Sequence, residues 1–483
     1  MINPMEIPLV VRRVGQMLPL WDYSRRSAPK DSFQPRDLLS SIKVCRLWSA
    51  ALTPLLWMVY DDAFMLCRSV TDYSFDDEEH VGSIPEEIFH ARSRHIRYLS
   101  LWYSLRPGSM QSTQLREIRL SGQALYANTD IIFTNPQLSN LTVAFDVGPK
   151  FSDIQPALQT LSQLQILSVV NLKVTAASTL QQLSGLLNSN SDLQKLRFEY
   201  PYGISGLDCE PLSNLTELHF LGDWDGNVGM IHLLRLCPNL EVLEALGVDC
   251  PMDQIAKNIK ECCRKLATIR MKDGELTENK FALLVQSTSR LVNIEATVTA
   301  FSTRTCDVLL DHTNWLESVS LTVFYNKQEC LDNTNRLLAS CSCLRSLEFE
   351  FGKRTYMSLP DIYSDLELVN CPTLERLSLT GFDHALICSS DAVNTVHAQG
   401  LSAESLRLLS QGSGTSLLEV MRERGWSCEP VMQGYYTSDI TLQTAVAQWM
   451  VFRGLLDLPR LYKVSVEDRG FVHEARMPRN MRA

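Results

Sequence analysis

The sequence predicts an α/β protein: an N-terminal module of three helices, then a right-handed solenoid of strand–helix repeats. Three observations carry this. Ile7, Val11, Val14 and Leu18 fall at helical spacing and so share one face. From about Ser93 onward, one short apolar unit recurs down the chain: an apolar residue, two variable positions, an apolar residue, one variable position, an apolar residue. Between the copies lie helical stretches such as Met230–Leu236, Ile255–Lys265 and Lys280–Val285.

The first helix is capped by Asn3, with Pro4 suited to its first turn and Glu6 at the carboxylate position of a capping box. A second amphipathic segment runs from Asp37 to Trp48 and offers Leu38, Leu39, Ile42 and Val44 to a small core. A third is expected to begin at Thr53-Pro54, an N-cap followed by proline at the first helical position, and carries Leu55, Leu56 and Trp57.

The order Pro4-Met5-Glu6-Ile7, then Val44-Cys45-Arg46-Leu47-Trp48, then Leu55-Leu56-Trp57 resembles the F-box, over roughly the first sixty residues. The sequence departs from that family at Asn3, where leucine is usual, and in a long polar insertion at residues 19–35. The resemblance implies that the module binds a Skp-type adaptor, and through it a cullin–RING ligase. The matching residues are Pro4, Ile7, Val11, Leu38, Leu39, Val44, Trp48, Leu56 and Trp57.

The module is expected to span residues 1–62 and an acidic connector residues 63–92, with Asp76-Asp77-Glu78-Glu79 as a solvated run. The repeats then fill residues 93–468. Their copies begin at Ile96, Leu115, Leu138, Leu164, Leu193, Leu215, Leu240, Leu266, Leu291, Leu316, Leu344 and Leu374, roughly 19 to 30 residues apart. A last copy, Leu461, Val464 and Val466, stands apart. The alternating apolar pair makes a short strand with one buried face, and parallel stacking of strand–helix units follows. Cys237-Pro238-Asn239-Leu240 and Cys371-Pro372-Thr373-Leu374 recur before the strand, with Cys341 in the same place. This is similar to the cysteine-containing class of leucine-rich repeats, which is often found behind an F-box. Recurrence at one repeat position marks these cysteines as buried packing residues. The pattern is irregular over residues 382–457, read as irregular repeats with an insertion, and residues 469–483 form a short basic tail, expected to fray from Arg476.

Several function classes are excluded by composition. The formal net charge of −10 argues against a nucleic-acid binder built on a basic face. No apolar run is long enough to span a bilayer and no secretory leader is present, so the expected location is cytoplasmic, nuclear or both, with the 14 cysteines reduced. Cys262-Cys263 and Cys341-Ser342-Cys343 lack zinc-ligand spacing, and no catalytic or cofactor motif occurs, so neither enzyme activity, metal nor cofactor is expected. Asp223–Asn227 and Gly412–Gly414 read as turns, and the sequons at Asn140 and Asn214 as accidental. His219 falls at an exposed strand position.

The variable positions of the strands remain for function. Early repeats place Tyr98, Trp102, Tyr103, Arg119, Phe145, Lys195, Arg197 and Tyr200 there, read as one aromatic and basic patch for a protein target. Later repeats place Glu244, Arg270, Glu295, Glu348, Glu350, Arg376, Lys463 and Glu467 there, with glutamates dominant. About twelve strands at ~4.8 Å give a wall of about 55 Å, the scale of a protein or long peptide. The F-box resemblance then implies the substrate receptor of an SCF-type ubiquitin ligase. The alternative is an interaction scaffold whose F-box no longer recruits a ligase.

Overall fold

The computed structural model describes residues 8–17, 36–61, 86–101, 110, 112–145, 150–221, 227–246, 251–325, 328–351, 371, 373–382, 427–430, 463–468 and 471–476. Pro4, Ile7, Trp102, Tyr103, the insertion before residue 36, the acidic run at 76–79 and the turn at 412–414 lie outside them. The chain divides into two compact units, Met1–Cys237 and Pro238–Ala483.

The first unit begins with helices α1 (Pro8–Met17), α2 (Arg36–Ile42) and α3 (Arg46–Leu56). They close on Val11, Leu52 and Leu55, with Ile42, Leu47, Trp48, Ala51 and Leu56 packed around. The expected third helix does not start at Thr53: Pro54 sits inside α3. The helix instead starts after a break at Lys43–Cys45. There Lys43 and Val44 donate to the carbonyls of Ser40 and Ser41, and Cys45 is extended (φ −162°, ψ 172°). Pro54 has no N–H to give to the Ala50 carbonyl, so the helix loses that bond and ends two residues later, at Leu56. Thr53 Oγ1 reinforces that turn with a 2.6 Å bond to the Ser49 carbonyl.

The module runs straight into the sheet. Strand β1 (Val59–Asp61) pairs in parallel with β2 (Tyr98–Leu101), aligning Tyr60 with Leu99. The Met58 carbonyl accepts the N–H groups of both Arg97 and Tyr98. The predicted connector is helical at its end, as α4 (Glu86–Ser93), and Phe89 meets the Tyr60 ring edge-on at 4.9 Å. Strands β3 (Glu117–Ser121), β4 (Asn140–Ala144), β5 (Ile166–Val170), β6 (Lys195–Glu199) and β7 (Glu217–Leu221) follow in order, all parallel. The register puts Leu99, Ile118, Leu141, Leu167, Leu196 and Leu218 in one row. Leu101, Leu120, Val143, Val169, Phe198 and Phe220 form the next row, and all twelve side chains are at most 1% exposed. Each such leucine contributes about 1.5–3 kcal/mol relative to an exposed one. Between strands lie α5 (Gly122–Ala127), α6 (Thr129–Phe133), α7 (Phe151–Leu158), α8 (Ala177–Ser189) and α9 (Asn227–Leu236).

The second unit repeats the plan: β8 (Val242–Leu246), α10 (Met252–Cys262), β9 (Thr268–Leu276), α11 (Glu278–Gln286), β10 (Asn293–Ala300), α12 (Thr303–Leu310), β11 (Ser318–Tyr325), α13 (Gln328–Ser340), β12 (Ser346–Phe351) and β13 (Arg376–Phe382). Thr277 and Ser302 cap α11 and α12 by accepting the N–H groups of Lys280 and Thr305. Strand β15 (Lys463–Asp468) pairs in parallel with β13, aligning Leu377 with Val464 and Leu379 with Val466. The outlying last copy therefore takes the next place in the ladder, and residues 383–462 intervene between paired neighbours. The basic tail opens with a strand, and the residues after Arg476 lie outside the described ones. Phe471–Arg476 form β16, which pairs antiparallel with β15 and with β14 (Ser427–Pro430). Asp468 aligns with Phe471, so only Arg469 and Gly470 join the two strands, the spacing of a tight hairpin.

A polar joint links the ends of α6 and α8 to the start of the preceding repeat. Asn135 Oδ1 accepts the Leu115 N–H at 2.9 Å, and Asn190 Oδ1 accepts that of Leu164 at 2.8 Å. Their amide groups donate to Ser112 and Ile131 carbonyls, and to Leu161 and Leu186 carbonyls. Cys237, Cys263, Cys341 and Cys371 occupy the same place and are at most 2% exposed. Cys263 was missed by sequence because it was weighed only against its neighbour Cys262 as a metal pair. Burial pushes the thiols of Cys263 and Cys341 up to about 12. No helix among the described residues is long and apolar enough to cross a membrane.

Candidate interaction surfaces

The residues matched to the adaptor-binding motif separate into two groups. Val11 is fully buried, so it belongs to the module's own core and not to a contact face. Trp48 and Leu56 are half-buried against that core, and Leu39 and Trp57 are also half-buried. Leu38 lies on α2. Val44 was expected in the core and is instead 64% exposed in the break between α2 and α3.

The open face of the first unit is the face opposite the leucine rows. It carries Tyr98, Arg119 and Thr142 at alternate positions. The expected basic patch is corrected there. Each of its cations has a carboxylate partner: Arg119 with Glu117 at 2.7 Å, Lys195 with Glu217 at 2.8 Å, and Arg197 with Glu199. Arg119 and Arg197 share a register row but sit three strands apart, about 14 Å, so Arg119 does not join the other two. Glu217 is held below the usual carboxylate range. Burial acts the other way, and hydrogen bonds from Lys195 and His219 overcome it. His219 is buried rather than exposed, its Nε2 3.3 Å from Glu217.

The aromatic part of the surface is real but differently composed. Phe145 is half-buried against Phe151, with ring centroids 6.0 Å apart. Tyr200 is 60% exposed and holds a left-handed φ of 48°, fixed by its N–H to the Leu221 carbonyl. Such backbone strain in a bulky residue persists only where its surroundings over-determine it. Tyr202, not singled out by sequence, is 49% exposed beside it and exchanges backbone bonds with Leu172 and Val174. Gly203 completes this loop at φ 77°, where an added Cβ would stand 2.3 Å from the Val174 carbonyl oxygen. The two tyrosines are thus presented on fixed backbone.

In the second unit the open-face row reads Glu244, Arg270, Glu295, Ser320, Glu348, Ser378 and Ser465. Arg270 stands between Glu244 (3.6 Å) and Glu295 (3.9 Å). Glu348 and Glu350 receive hydroxyl hydrogen bonds from Ser320 and Thr322 rather than ion pairs. This row therefore carries more carboxylates than cations, whereas the neighbouring row of the same face brings in Arg376 and Lys463.

Among the described residues, no group of His, Cys, Asp and Glu could hold a metal ion. The repeats have the leucine-rich-repeat fold. That statement rests on the chain's own register, with equivalent leucines aligned strand after strand. No protein-family model matches the sequence. No curated protein matches it. Among solved structures, the chain is similar to a leucine-rich-repeat protein of Leptospira interrogans at 15% identity and a TM-score of 0.33, over 62% of this chain and 75% of that one. It is similar to the leucine-rich repeat-containing protein LegL7 of Legionella pneumophila at 12% identity and a TM-score of 0.35, over 60% and 95%. It is similar to TLR13 in a complex with ssRNA13 at 14% identity and a TM-score of 0.33, over 61% and 50%.

Proposed function

We propose that this chain is the substrate-recognition subunit of an SCF-type ubiquitin ligase. Its helical module would bind a Skp-type adaptor, and its open sheet face would hold a protein target. The chain performs no chemistry in this reading; it raises the effective concentration of target lysines near a recruited conjugating enzyme. The observation that carries it is the helix–break–helix order of the module, with Val44 exposed at the break and Trp48, Leu56 and Trp57 half-buried around a small core. The site of action is cytoplasmic, nuclear or both.

The test uses the full chain, because β1 is paired with β2 and a fragment ending near residue 65 would leave that edge bare. The purified protein is mixed with a Skp-type adaptor and the complex is isolated. Val44→Asp should weaken the complex while leaving the thermal midpoint unchanged. Absence of any complex with the folded wild type would remove the ligase reading. A scaffold without a ligase would then stand, a reading favoured by the departures at Asn3 and residues 19–35.

A further inference from the structure

We propose that the aromatic edge formed by Phe145, Tyr200 and Tyr202 docks an uncharged, proline-rich segment of a partner protein in its left-handed extended form. The three residues lie just past the strands of the first unit. The register continues beyond β4, β5 and β6. The Phe145 N–H donates to the Val170 carbonyl at 3.0 Å, that of Asn171 to Glu199 at 2.8 Å, and that of Tyr200 to Leu221 at 2.6 Å. Phe145, Asn171 and Tyr200 therefore hold one place in three consecutive repeats.

That place separates what the fold requires from what it carries. Asn171 and Tyr200 both occupy the left-handed region, at φ 55° and 48°. Asparagine enters it readily because its short side chain bonds locally, and a bulky ring does not. Asn171 meets the need of the turn, whereas Tyr200 meets the same need at a higher cost. A ring is thus kept, 60% exposed, against its own backbone preference. Strain of this kind gathers at ligand clamps. The surroundings hold the loop in place. Tyr202 donates its N–H to the Leu172 carbonyl and accepts that of Val174, so Lys173 and Tyr202 stand opposite each other in a second short ladder. Beneath them the turn Ile204–Gly206 packs against α8 and α9, with Ile204 fully buried. Rings on such a backbone lose little freedom on binding.

Spacing and charge point to the occupant. Two strand spacings of ~4.8 Å put Phe145 and Tyr200 about 10 Å apart, with the shorter Asn171 between them. A polyproline helix turns every three residues at ~3.1 Å each, so prolines at i and i+3 lie about 9 Å apart. Aromatic residues at that interval match two such prolines, and tyrosine hydroxyls suit the backbone carbonyls that this helix leaves unbonded. The cations of the adjoining face, Arg119, Lys195 and Arg197, are each paired with a carboxylate, which favours a segment without charge. The edge uses neither the helical module nor the carboxylate row of the second unit, so the inference stands or falls apart from the ligase reading.

The experiment probes the full-length chain with an array of uncharged peptides carrying Pro-x-x-Pro, where x is Ala, Leu, Ser or Gln. A second array carries the same peptides with alanine for proline, and maltoheptaose is a third arm, because aromatic platforms also take sugars. Bound members are titrated by fluorescence anisotropy. Proline peptides should bind about tenfold or more tightly than their alanine counterparts. Tyr200→Asn should weaken that binding about tenfold or more. Its thermal midpoint should stay level or rise, since Asn171 shows that asparagine suits this backbone. A ring kept for packing alone would give a lower midpoint and unaltered binding. Tyr202→Ala, on ordinary backbone, should weaken binding by a similar factor, and it decides if Tyr200→Asn lowers the midpoint. Tyr126→Ala, at another exposed tyrosine, should change nothing. Binding of neither array, equal binding of both, unaltered binding by the variants, or capture of maltoheptaose in place of the peptides overturns the proposal.

Discussion

His312 offers the sharpest test of the polar joint between repeats. It is 5% exposed, its Nδ1 accepts the Leu291 N–H at 3.3 Å, and its Nε2 donates to the Val285 carbonyl at 3.4 Å. These partners fix the neutral tautomer with the proton on Nε2. It thus does in the second unit what Asn135 and Asn190 do in the first. Replacing it with alanine strands the Leu291 N–H in a fully buried site, at a cost of about 1–3 kcal/mol beyond the lost packing. His312→Asn restores an acceptor of the kind the first unit uses, so it should cost less than the alanine change. Hydrogen–deuterium exchange of the segment containing Leu291 reads this locally, which matters because a chain of two units need not unfold in one step. A loss of 1.4 kcal/mol corresponds to about tenfold faster exchange by opening.

The same residue predicts a pH dependence of known sign. Burial lowers the His312 pKa, against smaller opposing effects of the Val285 bond and Asp311. The unfolded chain therefore binds the proton first. The stability from neutral His312 is full above the unfolded value of about 6.5 and is lost as pH falls from there towards the folded value, at no more than about 1.4 kcal/mol per pH unit. His95 is lowered too and contributes in the same direction, so the informative quantity is the difference between wild type and His312→Asn. The wild type's stability advantage over His312→Asn should shrink from pH 7 to pH 5, because only the wild type loses the His312 contribution. Equal pH slopes in the two proteins would refute the assigned role.

Other outcomes follow from the same packing. With a thiol reagent under native conditions, exposed Cys45 should be labelled before Cys237, Cys263, Cys341 and Cys371, and fast labelling of those four would mean that the repeat register is wrong. Gly203→Ala should destabilise the Tyr200–Tyr202 loop by more than about 1 kcal/mol, seen as a lower denaturant midpoint, because φ and the Val174 carbonyl both oppose a Cβ. Comparing captured proteins, Glu348→Lys with Glu350→Lys should lose targets that Lys195→Glu with Arg197→Glu retains; the reverse pattern would return the contact to the first unit's face.

The leucine rows were legible because strand period is local: alternation alone places Leu99 and Leu101 on one side. The recurring cysteines were legible because they keep a fixed distance before the strand. What failed needed more than one segment. β1 was invisible because Tyr60 holds the leucine place and no full motif surrounds it. The proline signal at Thr53-Pro54 was outweighed by extended Cys45, which had already started the helix. Alternation put His219 on the open face, but it cannot say what covers a residue there, and His219 is buried.

Charge is the extreme case of that limit. Lys195, Arg197 and Arg119 read as a basic patch because sequence gives sign and approximate place. Glu117 and Glu199 lie two residues away on the same strand, while only the register of β6 and β7 brings Glu217 to Lys195. Conversely Arg12 is far from Arg97 in sequence, so no scan for basic runs would join them, though Arg12 adds to the lowering of Arg97 in the fold. Pairing cancels the first set and its absence exposes the second. A surface field therefore belongs to the sum over neighbouring strands rather than to any strand's own residues. By that reasoning the face to test for a charged partner is the row through Glu348, where hydroxyls, not cations, stand opposite the carboxylates.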